Sequence, residues 1–220
     1  MSRKAAGAAV ALGAVLILSA LLLVVYNRYE AAQAGQAAEN ALSELEAAME
    51  EEEAEAPEDG KGTGADGPEL PVETVDGYEY IGYLEIPVLG LKLPVMSDWS
   101  YEQLRISPCR QSGSSYSDDL VIAAHNYSTH FGRLKELSAG DTVIFTDMDG
   151  VVNTYCVERL ETVEPDAVDS VLNSGCDLVL YTCTKGGKTR VTAFCDRVDR
   201  ESSDGWGRLE SFCESSIMEK

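Results

Sequence analysis

The sequence has few basic residues, only two histidines and no closely spaced pair of cysteines. Lysine and arginine number 17 against 38 acidic residues, which gives a formal net charge of −21 over 220 residues. Because binding to phosphates requires a basic surface, this composition excludes a nucleic-acid partner. The six cysteines contain no CxxC pair, and two histidines add few ligands, which argues against a zinc site. We therefore expect neither a metal nor a cofactor.

Charge is absent from residues 5–26, an uninterrupted apolar run. About 20 apolar residues are enough to span a bilayer as a helix. Arg3 and Lys4 precede the run, so the amino end is expected in the cytoplasm and the rest of the chain outside. The alternative is a cleaved signal peptide, whose apolar part usually has only about 7–15 residues; Ala-Gln-Ala at 32–34 resembles a cleavage site. We predict that residues 1–28 form a single-pass anchor in the cell membrane.

Acidic residues are concentrated in residues 29–76, which hold fifteen of them and a single lysine. The first part, 30–56, is rich in Ala and Glu and has three apolar side chains at helical spacing: Leu42, Leu45 and Met49. Sustained heptads are absent, which favours a frayed, solvated helix. Residues 57–71 mix Gly, Pro and acid without periodicity, as in a linker. Residues 29–76 are therefore predicted to be a stalk.

Short apolar segments separated by turns fill residues 77–200, the predicted catalytic domain. The predicted strands are 80–87, 91–95, 120–124, 141–147, 151–160, 177–182 and 190–198. Asp149-Gly150 predicts a hairpin between the fourth and fifth of these. Seven or eight such strands, with short helices near 99–106 and 166–172, indicate a mainly β fold, a closed or nearly closed β-barrel. The tail, 201–220, receives no assignment.

Three residues that suit acyl transfer lie at strand ends. Cys183 ends the apolar segment LVLYT, and a thiol attacks carbonyls as the thiolate, which needs a nearby base or cation. His125 ends the segment LVIAA, and Arg190 begins the strand that follows Cys183 after a Gly-Gly turn. We predict that all three meet at one edge of the barrel. The alternatives are a buried structural cysteine, a loop histidine and a solvated arginine; His130, in a loop, is the rival histidine.

Several segments resemble the sortase family in the expected order. Residues 178–183, LVLYTC, followed by Arg190, resemble its active-site strand, usually T-L-x-T-C followed by an arginine. Residues 81–87 and 92–95 resemble its opening strands, and 121–126 and 131–141 resemble its histidine strand and the segment after it. Val179 stands where the family has its first threonine, and alanines precede His125 where glycine is common. The short stretch 162–177 favours a compact class D-like member over a class B-like one, and the class stays unassigned.

The resemblance implies a sortase-type barrel and a cysteine transpeptidase. Cys183 would cleave an LPxTG-like sorting motif through a thioester, His125 would transfer protons, and Arg190 would stabilise the oxyanion. Thr182 and Leu180 are expected to bind substrate. The implied partners are secreted proteins with a C-terminal sorting motif and an amine acceptor on a peptidoglycan precursor or a pilin, at the surface of a Gram-positive cell.

Two other functions remain open at this point. A membrane-anchored cysteine hydrolase would use the same residues and let water resolve the thioester. A non-enzymatic surface module would instead be stapled by disulfides, which are possible outside the membrane. Such a module would bridge Cys183, whereas the transpeptidase requires Cys183 to stay free.

Overall fold

A computed structural model describes residues 3–55, 69–167 and 171–198. It contains one long helix, nine strands and short 3₁₀ helices. The helix is α1 (Arg3–Glu55), and the strands are β1 (Glu73–Val75), β2 (Tyr78–Ile86), β3 (Leu91–Met96), β4 (Cys109–Ser112), β5 (Leu120–Ala124), β6 (Thr142–Asp147), β7 (Val152–Val163), β8 (Leu178–Cys183) and β9 (Arg190–Arg197). The 3₁₀ helices are Pro87–Leu89, Gln103–Arg105 and Phe131–Glu136.

The strands form a closed barrel. Their order is β1-β2-β3-β4-β5-β8-β9-β7-β6, and β6 also pairs with β2, which closes β2 to β9 into eight strands. The pairs β3–β4 and β5–β8 are parallel, and the others are antiparallel. The predicted mainly β, closed barrel of seven to eight strands is thereby confirmed. The predicted turn at Gly150 joins β6 to β7, with a positive φ of 73° that glycine adopts without strain.

Two strands were not predicted. β1 lies within residues 29–76 and pairs with the start of β2 across a turn at Asp76 and Gly77, so the folded part begins before residue 77. β4 has the sequence CRQS, which lacks apolar alternation, and it is held by pairing with β5. The stalk prediction is therefore wrong at its carboxyl end. Its middle, 56–68, and the tail 201–220 lie outside the described residues. Of the helix predicted near 166–172, residues 171 and 172 are helical, whereas residues 166 and 167 are not.

The barrel core fixes the segment that follows β5. Phe131 and Leu134, in the 3₁₀ helix after His125, are fully buried and join the main hydrophobic cluster with Phe145 and Leu180. Burial of side chains of this size contributes about 1.5–3 kcal/mol each. The loop between His125 and Phe131 is thus anchored at both ends, by β5 and by this buried turn.

The helix α1 has an exposed apolar part and a part that packs on the barrel. It contains a stretch that is long and apolar enough to cross a membrane, and none of that stretch is buried. Further along, four side chains on one face are buried against the barrel: Ala34, Ala38, Ala41 and Leu45. The prediction of a solvated helix for residues 30–56 is wrong on this face. Small alanines let the helix approach the barrel closely, and a search for large apolar residues overlooks them.

Candidate active site

Strand register brings the three predicted residues to one end of the barrel. β5 and β8 run parallel, with Ala124 opposite Thr182, so His125 and Cys183 leave the sheet at the same end. Across the β8–β9 hairpin, Cys183 lies opposite Arg190. We call this end, formed by the loop 125–130 and the turn 184–189, the site edge. The structure therefore brings Cys183, His125 and Arg190 to the same edge.

Cys183 is a free thiol with partial solvent access. The other free cysteines of the described residues, Cys109, Cys176 and Cys195, are all buried. Burial raises the pKa of the Cys109 thiol to about 12 and also raises the pKa of Cys176 and Cys195, which disfavours their thiolates. Cys183 is thus the accessible free thiol of the described part, and its free state argues against a module stapled through it.

His125 is half-buried beside an aromatic ring. Its imidazole lies 4.9 Å from the ring of Tyr127, measured between centroids. Burial lowers the pKa of His125, the positive charge of Arg105 lowers it further, and the carboxylate of Glu30 in α1 raises it. The net shift is downward, so the imidazole is neutral at pH 7 and available to accept a proton.

His130, the rival histidine, lies behind this pair in the interior. It is fully buried, and its ring nitrogens face backbone groups of Ala34 and Ile106 without forming hydrogen bonds of normal geometry. Its ring lies 5.5 Å from that of Tyr127, and burial lowers its pKa to about 4. Without access to solvent, His130 has no path for exchanging protons with a substrate.

Arg190 lies over the turn that joins β8 to β9. Its Nη1 donates hydrogen bonds to the carbonyl oxygens of Gly187, at 3.0 Å, and Thr189, at 3.2 Å. Gly186 and Gly187 have φ values of 89° and 70°, which glycine permits in a tight turn. A guanidinium carries five N–H donors, so these two bonds leave others for a ligand.

A cleft of about 350 Å³ opens beside Arg190. Its walls include Trp99, Tyr101, Gln111, Leu172, Tyr181 and Arg190. The hydroxyl of Tyr181 donates a hydrogen bond of 2.9 Å to Oε1 of Gln111. The lining also includes Glu164 but neither Cys183 nor His125, so the cleft lies beside these two residues, and its aromatic walls suit an extended peptide. Sequence reasoning missed Tyr181, although the period of two in a strand puts it on the same face of β8 as Cys183.

The same alternation corrects the two predicted substrate-binding residues. Leu180 is fully buried in the main hydrophobic cluster. Thr182 is 3% exposed, and its hydroxyl donates to the carbonyl oxygen of Ala124 at 2.7 Å. Both side chains point into the barrel rather than into the cleft, because they alternate with Tyr181 and Cys183 along β8.

Glu158, Cys176 and Asp196 form the one described group whose ligand atoms could hold a metal ion, all within 4.8 Å of one another. Nη1 of Arg159 lies 2.8 Å from Oε2 of Glu158 and 3.5 Å from Sγ of Cys176. Because the guanidinium of Arg159 offsets the negative charge of Glu158, we interpret the group as part of an ion-pair network.

Comparisons with known proteins agree on one family. The family model for the sortase domain matches residues 84–198. Among solved structures, sortase C1 from Streptococcus suis is 25% identical with a TM-score of 0.51, covering 58% of this chain and 78% of that one. Sortase C1 from Streptococcus agalactiae is 27% identical with a TM-score of 0.51, covering 58% and 72%. A sortase D5 transpeptidase from Clostridium perfringens, 17% identical with a TM-score of 0.56, covers 74% and 99% and is similar in fold. No curated protein matches the chain.

Proposed function

This chain belongs to the sortase family of cysteine transpeptidases, and we propose that it cleaves an LPxTG-like sorting motif through a thioester on Cys183. The acyl group then passes to an amine of the cell wall or of a pilin. The observation that carries the proposal is the register that puts His125 and Arg190 at the strand ends flanking Cys183.

In the first half-reaction, the sulfur of Cys183 attacks the carbonyl carbon of the scissile peptide bond. The C–N bond breaks, a thioester forms, and the departing nitrogen takes a proton from His125. The imidazole can act as the acid because it has first accepted the thiol proton. Before that transfer, its lowered pKa disfavours the protonated form. The proton carried by the leaving amine is therefore the one that the thiol released.

In the second half-reaction, an incoming amine attacks the thioester carbonyl. Neutral His125 accepts a proton from this amine and returns it to the sulfur as the C–S bond breaks. Both steps pass through an oxyanion, for which the guanidinium of Arg190 is a fixed positive donor at the cleft wall. No external oxidant or reductant is required.

Anchoring is part of the proposal. Residues 5–26 form the apolar part of α1, and Arg3 and Lys4 precede them, so the catalytic domain lies on the outer side of the cell membrane. Substrates would then be secreted proteins with a C-terminal sorting motif. A Gram-positive surface, with its peptidoglycan precursors and pilins, supplies the acceptor amines that we propose.

The test is a product assay with the full chain in detergent micelles. Incubation with a library of sorting-motif peptides and an added amine should give amide products, read by mass, that depend on the amine. Cys183→Ala should abolish both cleavage and transfer, whereas the matched control Cys109→Ala should still form the thioester. If free acid is the sole product with and without the amine, the hydrolase is supported instead. If the acyl group is trapped on another cysteine, Cys183 is not the nucleophile.

A further inference from the structure

The apolar part of α1 leads directly into the site edge. The helix is continuous from Arg3 to Glu55, and its large apolar side chains are exposed up to Tyr26. Only five residues later, Oγ1 of Thr129, in the loop after His125, donates a hydrogen bond of 2.9 Å to the carbonyl oxygen of Ala31. At 1.5 Å per residue, these five residues rise about 8 Å. The loop that holds His125 therefore lies close to the end of the apolar stretch.

The contacts of α1 also define which end of the barrel lies near that stretch. Gly35 packs against Thr129, where a Cβ atom would come within 2.8 Å of the threonine side chain. Farther along, Leu45 is buried in a cluster with Val75 and Tyr80, beside the start of β2. Because β2 runs in the same direction around the barrel as β5 and β8, its start lies at the end opposite the site edge, and α1 therefore runs along the barrel wall from the site edge towards that end.

We propose that the site edge faces the membrane and rests on its outer headgroup layer, at a height that α1 sets. This inference rests on the proposed anchoring by residues 5–26. The hydrocarbon core is about 30 Å thick within a bilayer of about 40–45 Å, which leaves roughly 5–8 Å for each headgroup layer. The rise of α1 after Tyr26 matches that thickness, and because the helix is unbroken, it fixes the height of the edge.

The side chains exposed near the site edge are of the types expected at a surface that contacts lipid headgroups. Lys185 and Lys188 are exposed in the turn directly after Cys183. Trp99 and Tyr101, on the cleft wall, are 38% and 72% exposed, with ring centroids 5.0 Å apart. Aromatic rings and lysines are the side chains enriched at bilayer interfaces. The chain as a whole carries −21, so an anionic surface repels its other faces.

The decisive test changes the height of the site edge. Eleven helix-forming residues inserted between Arg28 and Tyr29 lift the barrel by about 16 Å with little rotation, because eleven residues make close to three turns. The full chain is reconstituted in phosphatidylglycerol vesicles. The probe is a peptide that the detergent assay identifies as cleaved, used free and as a palmitoylated form with a short linker. Inserting the same residues after Gly60 provides the control.

We expect the insertion to lower cleavage of the palmitoylated peptide by about tenfold or more, since a linker too short to span the gap abolishes effective concentration. Cleavage of the free peptide should stay within about twofold, and a longer linker should restore the palmitoylated substrate. The control insertion should change neither. An unchanged ratio of palmitoylated to free cleavage after the helix insertion would overturn the proposal.

A second measurement works even if no peptide is cleaved, which separates this inference from the proposed function. Trp206→Phe leaves Trp99 as the sole tryptophan. In vesicles of lipids brominated near the headgroup, Trp99 fluorescence should be quenched at native helix length and recover in the insertion variant. Absence of quenching at native length, or equal quenching in both, would mean that α1 does not hold the site edge at the membrane.

Discussion

The hydroxyl of Thr182 donates a 2.7 Å hydrogen bond to the carbonyl oxygen of Ala124. These residues directly precede Cys183 and His125, and both are buried. The bond therefore joins the strand of the nucleophile to the strand of the histidine at the last position of the β5–β8 ladder. We therefore assign Thr182 a positioning role in place of the substrate contact that was predicted from the sequence.

Thr182→Val keeps the shape of the side chain and removes this bond. We expect turnover to fall about tenfold, because small misplacements of reacting groups are costly, while KM stays within about twofold. The control is Thr192→Val, whose buried hydroxyl has no hydrogen-bond partner among the described residues. Steady-state kinetics of both variants decide the matter, and a raised KM in Thr182→Val would restore the substrate-binding role.

The pKa of His125 should respond to its charged neighbours in opposite directions. Arg105→Gln removes a positive charge that disfavours the imidazolium, so the pKa should rise; Glu30→Gln should lower it further. NMR titration is direct, since the sequence has only two histidines. The limb of the pH–rate profile that belongs to His125 should move the same way. Lys135→Gln, at an exposed lysine, is the control and should move neither.

His130 should make the folded state sensitive to acid. Its pKa is about 4 when folded against about 6.5 when unfolded, so the unfolded state binds its proton first as pH falls. The folded state should therefore lose about 3 kcal/mol of stability, at most, as the pH falls from 6.5 to 4. Chemical unfolding at several pH values should show this loss, and His130→Phe should remove that part of it. Equal pH dependence in both proteins would contradict the assignment.

The packed face of α1 should contribute to the stability of the barrel. Leu45 is fully buried against Val75, Tyr80 and Met96, so Leu45→Ala should lower the free energy of unfolding by about 2–4 kcal/mol. Leu42→Ala, at a partly exposed position of the same helix, is the matched control and should cost less. Similar losses in both variants, measured by chemical unfolding in detergent, would mean that α1 is not docked as described.

The barrel could be predicted because its strands carry their own signals. Segments such as LVIAA and LVLYT are continuous and apolar, and Gly150 marks a hairpin, so the strand ends that hold Cys183 and His125 followed from local pattern. β4 could not be predicted, since CRQS is held by its neighbours rather than by its composition. The docking of α1 depends on alanines, which signal helix without indicating burial.

Arg190→Lys tests whether Arg190 acts as a point charge or as a directional hydrogen-bond donor. The guanidinium is held at the turn by two carbonyl oxygens and borders the cleft. Lysine keeps the charge but lacks the planar fork that presents several N–H groups at once, so an oxyanion role predicts a loss of about 100-fold or more in turnover.

If Arg190 only braces the turn, the variant should instead lose stability, because the carbonyls of Gly187 and Thr189 lose their donor. Melting temperature measured beside turnover distinguishes the two, with Lys188→Ala in the same turn as the control. Near-normal turnover in Arg190→Lys or Arg190→Ala would leave Arg190 as a solvated charge at a strand end.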